Sequence, residues 1–276
     1  MKLGLIAGGG DLPKHVAYAA AEDLGQVIVL EGFGHSEDFT NAATIGLAQF
    51  GKMFKLLKKT GCTHVCFAGY VDRPNFKNMK PDLRALFLLP GTMKAATGGD
   101  DSLLRHILGL FEKEGFEIIS PQEVCVDLLL KEGALGAIKL PKAHREDALR
   151  ACRIAQAIGE LDIGQGAVVA RGITLAVEAQ EGTDAMLHRV ATLPQALRGS
   201  ASERVGILAK MLKPGQDQRV DLPVIGLATL ENAAAAGLAG IVAEAGRAFV
   251  LDEDSVVEAA NRHGVFVLGL PPSEND

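Results

Sequence analysis

The sequence predicts an α/β protein of two domains, with a parallel sheet in the first domain and a second, carboxyl-terminal α/β domain. Its 276 residues reach the size at which a single hydrophobic core stops growing, about 250–300 residues. Short apolar runs alternate with stretches of helical periodicity, which is typical of a parallel sheet covered by helices on both faces. Hydrophobic residues make up 48% and charged residues 22% of the chain, and these values exclude bulk disorder.

The first domain opens with an apolar run that ends at three glycines, after which Leu12, Val16, Ala20 and Leu24 recur at helical spacing. A strand, a glycine turn and a helix in this order predict a Rossmann-like sheet. The predicted strands are residues 3–7, 27–30, 63–68 and 116–119, and the predicted helices are residues 50–57, 83–95 and 102–114. Residues 85–89 fit one buried helix turn. We place the end of this domain at residue 130.

A linker is predicted at residues 131–142, where two glycines and a proline interrupt the periodic segments. The second domain, residues 143–276, contains both apolar runs typical of strands and segments with helical spacing of apolar residues. Its predicted strands are 167–170, 173–177, 204–209, 224–227, 240–243, 248–251 and 265–268, and its predicted helices are 144–158, 230–236 and 255–262.

Composition excludes several classes of function. The 28 basic and 34 acidic residues give a net charge of −6, which argues against a surface that collects nucleic acid. The four cysteines follow no disulfide framework, and no stretch approaches the roughly 18 consecutive apolar residues of a membrane span, so we expect a cytoplasmic protein. Cys62 and Cys66 flank the entry to a buried strand, which favours small core residues over a metal pair. No Ser-His-Asp or G-x-S-x-G arrangement is visible, so nucleophilic serine or cysteine catalysis is disfavoured.

The glycine turn after the first strand is a candidate anion site. Gly9 and Gly10 stand at a helix start, where free backbone N–H groups and the helix dipole favour a phosphate. Glu31 lies where a ribose-binding acid would sit in a dinucleotide-binding enzyme, but Pro13 replaces the third glycine of that fingerprint. A nucleotide or sugar ligand and a tight turn without a ligand are equally favoured.

Two further loops of the first domain carry polar residues. Gly69 ends a strand and opens a loop in which Arg73 either holds a phosphate or pairs with its neighbouring aspartate. Gly99 precedes Asp100 and Asp101 at a helix start. One of these two acids is an ordinary helix cap, which leaves the other for a ligand.

The second domain offers oxygen ligands and cations in loops. Residues 162–166 and 178–184 contain the acid, amide and hydroxyl oxygens that Mg²⁺ selects, although two polar turns with a helix cap at Thr183 are the favoured interpretation. The densest polar stretch begins at Lys210 and runs to Asp221. Its cations would offset the charge of a polyphosphate and its carboxylates would bind a metal or activate water, the alternative being a solvated loop.

Seven strings, in order along nearly the whole chain, carry a resemblance to a known family. They are LGLIAGGGDLP, CFAGYVDRPNF, GDDSLLR, LDIGQGAVVARG, LAVEAQEGTDAML, KPGQDQRVDLPVIGLAT and AGIVAEAG. Together they closely resemble the UDP-2,3-diacylglucosamine pyrophosphatases of the LpxI type. The strings EAQEGTDAML and QDQRVDLPVIG are long enough to make this resemblance specific, which the glycine turn alone is not.

The resemblance implies hydrolysis of the pyrophosphate of UDP-2,3-diacylglucosamine to UMP and 2,3-diacylglucosamine 1-phosphate, the lipid X step of lipid A synthesis. It also implies an amino-terminal nucleotide-fold domain, a distinct carboxyl-terminal catalytic domain, a ligand enclosed between them and a requirement for Mg²⁺. Such an enzyme is expected to be peripheral to the cytoplasmic face of the inner membrane. The sequence leaves open whether it is a monomer or a homodimer.

The resemblance also assigns residues. The carboxylate of the RVDLP string, Asp221, corresponds to the essential acid of the family, and whether it binds Mg²⁺ or positions water stays open. Lys210 and Lys213 are expected on the phosphates. The expected substrate-binding residues are Gly9, Gly10, Gly69, Arg73, Gly99, Asp100, Gln122, Gln165, Thr183, Asp184, Gln216, Arg219 and Glu244.

Two other functions remain compatible with these residues. An NAD-dependent oxidoreductase would use the glycine turn and Glu31, and hydrolysis without nicotinamide would exclude it. A non-catalytic protein that binds a UDP-sugar or lipid phosphate would use the same turns. Asp221→Ala separates that protein from an enzyme, because a carrier keeps its ligand binding whereas an enzyme loses turnover.

Overall fold

The chain forms two compact units, each with its own hydrophobic core. The computed structural model describes residues 1–71, 79–97, 99–213 and 222–272. Unit 1 is Met1–Val126, and unit 2 comprises the described residues from Asp127 onwards, so the division lies close to the predicted domain end at residue 130. Strands and helices alternate in both units, which confirms the predicted α/β class with two domains.

Unit 1 is built on a parallel sheet. Its strands are β1 (Leu3–Ala7), β2 (Leu24–Leu30), β3 (Ala42–Ile45), β4 (His64–Ala68) and β5 (Glu117–Ile119). Its helices are α1 (Leu12–Ala19), α2 (Phe50–Lys59), α3 (Leu83–Ala96), α4 (Asp100–Lys113) and α5 (Pro121–Val124). Among the described residues the five strands pair in parallel in the order β3-β2-β1-β4-β5, which confirms the predicted Rossmann-like sheet.

The core of unit 1 follows from its periodicities. Every residue of β1 is buried, because this strand is paired on both sides and lies in the centre of the sheet. Helix α2 buries Phe54 and Leu57, while its lysines lie on the opposite, exposed face. The rings of Phe54 and Phe67 both meet Phe111 edge-on, with centroids 4.9 and 5.0 Å away, so aromatic packing joins α2, β4 and α4.

Unit 2 is built on a mixed sheet. Its strands are β6 (Gly133–Leu135), β7 (Gly166–Ala170), β8 (Ile173–Val177), β9 (Ile207–Lys210), β10 (Val224–Ile225), β11 (Gly240–Glu244), β12 (Phe249–Val250) and β13 (Phe266–Leu270). Its helices are α6 (Arg145–Glu160), α7 (Gly182–Ala191), α8 (Gln195–Arg198), α9 (Leu227–Ala235) and α10 (Glu253–His263). In the described part of this unit, six strands form one sheet in the order β6-β13-β11-β9-β7-β8.

The directions of the strands in unit 2 decide which strand ends lie at the same edge of the sheet. Strands β9, β11 and β13 are parallel, β7 runs antiparallel to β9, and β8 runs antiparallel to β7. The β7–β8 hairpin turns through Arg171 (φ 50°) and Gly172 (φ 75°), a two-residue connection whose left-handed backbone suits the twist of the strands. The buried carboxylate of Asp147 on α6 accepts hydrogen bonds from both backbone N–H groups at 2.7 Å, and thereby fixes the hairpin against the helix.

Some predicted elements differ from the structure. Leu24 begins β2 instead of continuing α1, because its apolar side chain fits the strand pattern as well as the helical one. The predicted strands at 224–227 and 248–251 contribute only β10 and β12, which pair with each other outside the six-stranded sheet. The expected linker at 131–142 contains β6, which pairs with β13.

The predicted buried turn at residues 85–89 is wrong for two of its residues. Ala85 is buried, but Leu86 and Phe87 are 51% and 85% exposed. Apolar composition alone does not tell which side of a helix meets the core. Helix α3 therefore presents large apolar side chains to solvent.

Candidate active site

One edge of the unit 2 sheet collects buried charged residues. The carboxyl ends of β8, β9 and β11 lie at this edge, and the amino end of the antiparallel β7 lies there too. Lys210 pairs with Gly166 of β7 on one side and with Ala243 of β11 on the other. Glu244 ends β11, and Glu178 follows β8, the strand beyond β7, so both residues lie at the same edge as Lys210. Carboxyl ends of parallel strands are where open α/β sheets bind their ligands.

Glu178 is one of two buried carboxyl groups at this edge. It follows β8, its side chain is buried, and its backbone N–H donates to the carbonyl oxygen of Gly166 at 2.8 Å. Its Oε2 accepts a hydrogen bond from Thr183 Oγ1 at 3.1 Å. Burial raises the pKa of this carboxyl, whereas the charge of Lys210, the Thr183 hydroxyl and the charge of Lys213 partly offset that rise.

Two lysines place positive charge around Glu178. Lys210 is only 5% exposed, and its Nζ donates to the carbonyl oxygen of Val224 at 2.6 Å. The Nζ of Lys213 lies 3.1 Å from Oδ1 of Asp162. A buried ammonium is costly unless carboxylates and carbonyls surround it, so this arrangement holds cationic charge inside the protein.

Gln165 contributes a polar atom without a partner. Its side-chain Oε1 is shielded from solvent and has no hydrogen-bond partner among the described residues, although its backbone oxygen accepts from Met211 N at 2.9 Å. The glycines on either side allow Glu178 to approach. A Cβ at Gly164 would lie 2.1 Å from the Glu178 backbone oxygen, and one at Gly166 would lie 2.4 Å from Glu178 Oε2. Close approach explains the sequence Gly-Gln-Gly at this point.

The other expected residues of unit 2 have defined positions. Glu244 is buried at the end of β11, with its Oε2 3.5 Å from Arg247 Nη1. Asp184 is exposed on α7 and accepts a hydrogen bond from Asn232 Nδ2 at 3.0 Å. Thr183 is the second residue of α7, so the predicted helix cap at Thr183 is wrong: Glu181 holds the cap position, and the Thr183 hydroxyl donates to Glu178.

The glycine turns of unit 1 differ from the expectation of free donors. The backbone N–H of Gly8 donates to Ala68 O at 2.8 Å, and that of Gly9 donates to Tyr70 O at 2.8 Å. The expectation is wrong for these two groups, because the turn after β1 pairs with the turn after β4. Gly10 and Gly69 take positive φ angles of 85° and 89° in this arrangement.

The remaining candidates of unit 1 lie at helix starts. Gly99, with φ 104°, holds the cap position of α4 and Asp100 is the first residue of that helix, so the prediction of an aspartate cap is wrong. Gln122 lies in α5, whose start is closed by reciprocal hydrogen bonds between Ser120 and Glu123. The expected site residues Arg73, Gln216, Arg219 and Asp221 lie outside the described residues.

The described side chains do not by themselves fit a magnesium site. Across residues 1–71, 79–97, 99–213 and 222–272, no group of three or more His, Cys, Asp or Glu side chains converges. Glu178 faces lysines and a threonine hydroxyl, and the carboxylate of Asp162 pairs with Lys213. Hard divalent cations need several oxygen ligands at once. The described edge therefore combines Lys210 and Lys213 with the buried carboxyl groups of Glu178 and Glu244.

Family models match both units of the chain. The model described as the LpxI N-terminal domain matches residues 2–128, and the one described as the LpxI C-terminal domain matches residues 131–268. The chain belongs to the LpxI family. The UDP-2,3-diacylglucosamine pyrophosphatase LpxI of Caulobacter vibrioides is 53% identical over 276 residues, which cover 99% of each protein.

A solved structure outside the family gives only a distant likeness. The UDP-glucose 4-epimerase of Thermus thermophilus, in complex with NAD, is 14% identical and aligns over 100% of this chain and 88% of its own, with a TM-score of 0.29. That likeness carries no weight for an NAD-dependent activity. The full-length LpxI match does not favour the oxidoreductase alternative.

Sequence reasoning did not single out Glu178 as the partner of the site lysines. It treated residues 178–184 as one polar loop, whereas Glu178 lies at the sheet edge and Asp184 lies on an exposed part of α7. The signal that could have found it is the pair of glycines at positions 164 and 166. Their close approach to residue 178 explains why no side chain is tolerated there.

Proposed function

We propose that this LpxI-family chain hydrolyses the pyrophosphate bond of UDP-2,3-diacylglucosamine and releases 2,3-diacylglucosamine 1-phosphate and UMP. The observation that carries the proposal is the 53% identity, over nearly the whole length of both chains, to the Caulobacter vibrioides pyrophosphatase. The buried Lys210 at the sheet edge of unit 2 supports it, because a diphosphate needs positive charge held in place. A non-catalytic carrier of the same ligand is the second candidate.

The described residues have roles that suit phosphoanhydride hydrolysis. Lys210 and Lys213 supply positive charge to the phosphoryl oxygens, where negative charge accumulates as the bond breaks. Lys210 is held by the Val224 carbonyl, so its ammonium is positioned before substrate arrives. Gln165 Oε1 can accept a hydrogen bond from a hydroxyl or amide N–H of the substrate, which would satisfy a shielded acceptor. Glu178 orients the Thr183 hydroxyl.

Asp221 and magnesium complete the proposal. Magnesium, where bound, would neutralise charge on the phosphates and lower the pKa of a coordinated water. Asp221 would hold that ion or orient the attacking water. The roles given to Lys210, Lys213 and Gln165 do not depend on which of these Asp221 does.

The substrate also suggests a place in the cell. No helix in the described ranges is long and apolar enough to cross a membrane. A substrate with two acyl chains resides in a bilayer, so we place the chain in the cytoplasm, peripheral to the inner membrane.

Release of UMP tests the proposed function. Purified full-length chain is incubated with UDP-2,3-diacylglucosamine in detergent micelles, with Mg²⁺ or with a chelator. We expect UMP release that requires Mg²⁺ and is lost in Asp221→Ala, while substrate binding to that variant persists. The exposed Lys131→Met serves as the control for a change of charge outside the site. Binding without UMP release by the native chain, under any metal, would instead establish a carrier.

A further inference from the structure

Helix α3 exposes an apolar stripe. Leu83 and Phe87 are 79% and 85% exposed, and Leu86 and Met93 are each about half exposed. Their spacings of three, four and seven residues place them along one side of the helix. Large apolar side chains grouped on one exposed helix face mark an interaction surface, unlike single exposed ones.

Helix α3 and the helix packed against it, α2, carry cations. Helix α2 has the sequence FGKMFKLLKK and α3 has the sequence LRALFLLPGTMKAA, so the two helices contain lysines and an arginine but no Asp or Glu. Lys52, Lys55, Lys59 and Lys94 are exposed. The whole chain has a net charge of −6, whereas these two helices carry only positive charges.

The two helices present these residues as one surface. The side chain of Asp82 accepts the N–H of Lys52 in α2 at 3.1 Å and the N–H of Ala85 in α3 at 2.8 Å. The Asp82 carboxylate thereby accepts hydrogen bonds at the starts of both helices. Glu114, at the end of α4, pairs with Lys58 and with Arg84. Asp82 and Glu114 thus serve to hold α2, α3 and α4 together.

We propose that this α2–α3 surface, made of the apolar stripe of α3 and the lysines beside it, docks the chain on an anionic lipid bilayer. An apolar helix face bordered by cations inserts at the headgroup boundary, and its lysines meet the negative lipid surface. The charge complementarity selects a lipid surface as the occupant, since α2 and α3 contain lysines and an arginine but no acidic residue. The inference rests on the proposed function in that a diacylated substrate must be taken from a bilayer.

Vesicle binding tests the proposal without requiring turnover. The full-length chain is floated with phosphatidylcholine vesicles, with and without phosphatidylglycerol, at low and high salt. We expect binding only to the anionic vesicles, weakened by salt. Leu83→Ser with Phe87→Ser, and separately Lys55→Gln with Lys59→Gln, are each expected to lower the partition coefficient by about tenfold.

Matched substitutions on unit 2 are the controls. Leu149 is 60% exposed, so Leu149→Ser matches the apolar change, and Lys139→Gln with Lys142→Gln matches the charge change. These controls are expected to bind vesicles as the native chain does. Equal losses in test and control variants, or no vesicle binding by the native chain, would overturn the proposal.

Two other occupants give distinct outcomes. If a second copy of the chain covers the surface, light scattering in the absence of lipid will show a dimer that becomes a monomer in Leu83→Ser with Phe87→Ser, and the bilayer proposal fails. If substrate acyl chains occupy it, the same variant will raise KM in detergent micelles, and the proposal also fails. Unchanged micellar kinetics with lost vesicle binding support it. UMP release in micelles tests the proposed function separately.

Discussion

Gly9 and Tyr70 exchange two backbone hydrogen bonds beyond the ends of β1 and β4. The N–H of Gly9 donates to Tyr70 O at 2.8 Å, and the N–H of Tyr70 donates to Gly9 O at 3.0 Å. The strands are parallel, yet this bridge is antiparallel, because Gly69 takes φ 89° and turns the chain back. The two loops that carry expected substrate-binding residues are thus one hydrogen-bonded structure.

Gly69→Ala tests the need for that turn. A Cβ at position 69 would lie 2.4 Å from the Gly9 backbone oxygen, and alanine also disfavours the positive φ. We expect the free energy of unfolding to fall by about 2–3 kcal/mol, measured by urea denaturation. The control is Gly109→Ala in α4, where a Cβ would meet nothing within 4 Å and about 1 kcal/mol of stabilisation is expected. A Gly69→Ala variant as stable as the native chain would contradict the role of the turn.

Lys210→Met tests the buried cation at the sheet edge. Methionine keeps much of the volume but removes the charge that we assign to the phosphoryl oxygens. We expect kcat for UMP release to fall by about 10²–10³-fold, a loss typical for one electrostatic contact in a transition state, with a smaller change in KM. The exposed Lys131→Met should keep native kinetics. An unchanged kcat in Lys210→Met would remove Lys210 from the reaction.

Glu178→Gln tests the cost of burying a carboxylate. Because burial raises its pKa, folded Glu178 keeps its proton at pH values above 4.5, where the unfolded chain has released it. The stability that this group contributes is therefore present at low pH and lost as pH rises through the folded-state pKa. Glutamine does not ionise, so the variant should gain stability relative to the native chain as the pH rises above 4.5, and the gain should level off above the folded-state pKa of Glu178.

The size of that gain depends on how far the two pKa values lie apart. It should approach about 1.4 kcal/mol for each pH unit between the folded and unfolded values. Thermal unfolding across the pH range measures it, with the exposed Glu160→Gln as the control. Parallel stability curves for the native chain and Glu178→Gln would show that burial does not raise this pKa.

The cysteines should be unreactive in the folded protein. All four are buried and none forms a disulfide, and burial raises the pKa of the Cys152 thiol to about 12 and also raises that of Cys66. At about pH 8, alkylation of Cys152 should be about a thousandfold slower than in the denatured chain, because the thiolate is the reactive form. Mass spectrometry after iodoacetamide treatment measures this. Rapid labelling of Cys152 in the native state would mean that it is accessible and ionised.

Much of the fold could be predicted from apolar patterns. Leu3–Ala7 and Ile173–Val177 were predicted with the bounds that the structure shows, since each is bounded by residues that break the pattern. Strand β3 (Ala42–Ile45) was not predicted, because it lies at the sheet edge and buries mainly Ile45, so its apolar pattern is weak. Helix α7 was indicated only by the expected cap at Thr183, and its extent was not predicted because Gly182 and Thr183 have the composition of a turn.

The site was predictable only in part. Lysines at 210 and 213 stood out because charge directly after an apolar strand is unusual, and the structure places Lys210 at a buried strand end. Glu178 did not, because strand order is not written in local sequence: the insertion of β7 between β8 and β9 brings residues 178 and 210 to one edge. The family resemblance pointed to Gln165 as a binding residue. Apolar periodicity does not predict that the side-chain oxygen of Gln165 is shielded from solvent.

The order of strands in unit 2 has a kinetic consequence. Gln165, Glu178, Lys210 and Glu244 come from chain segments that meet only when the β7–β8 hairpin has paired with β9 and β9 with β11. Such contacts between distant segments are slow to form, since loop closure must precede them. During refolding, catalytic turnover should therefore return later than helical circular dichroism, and it reports the completion of the sheet.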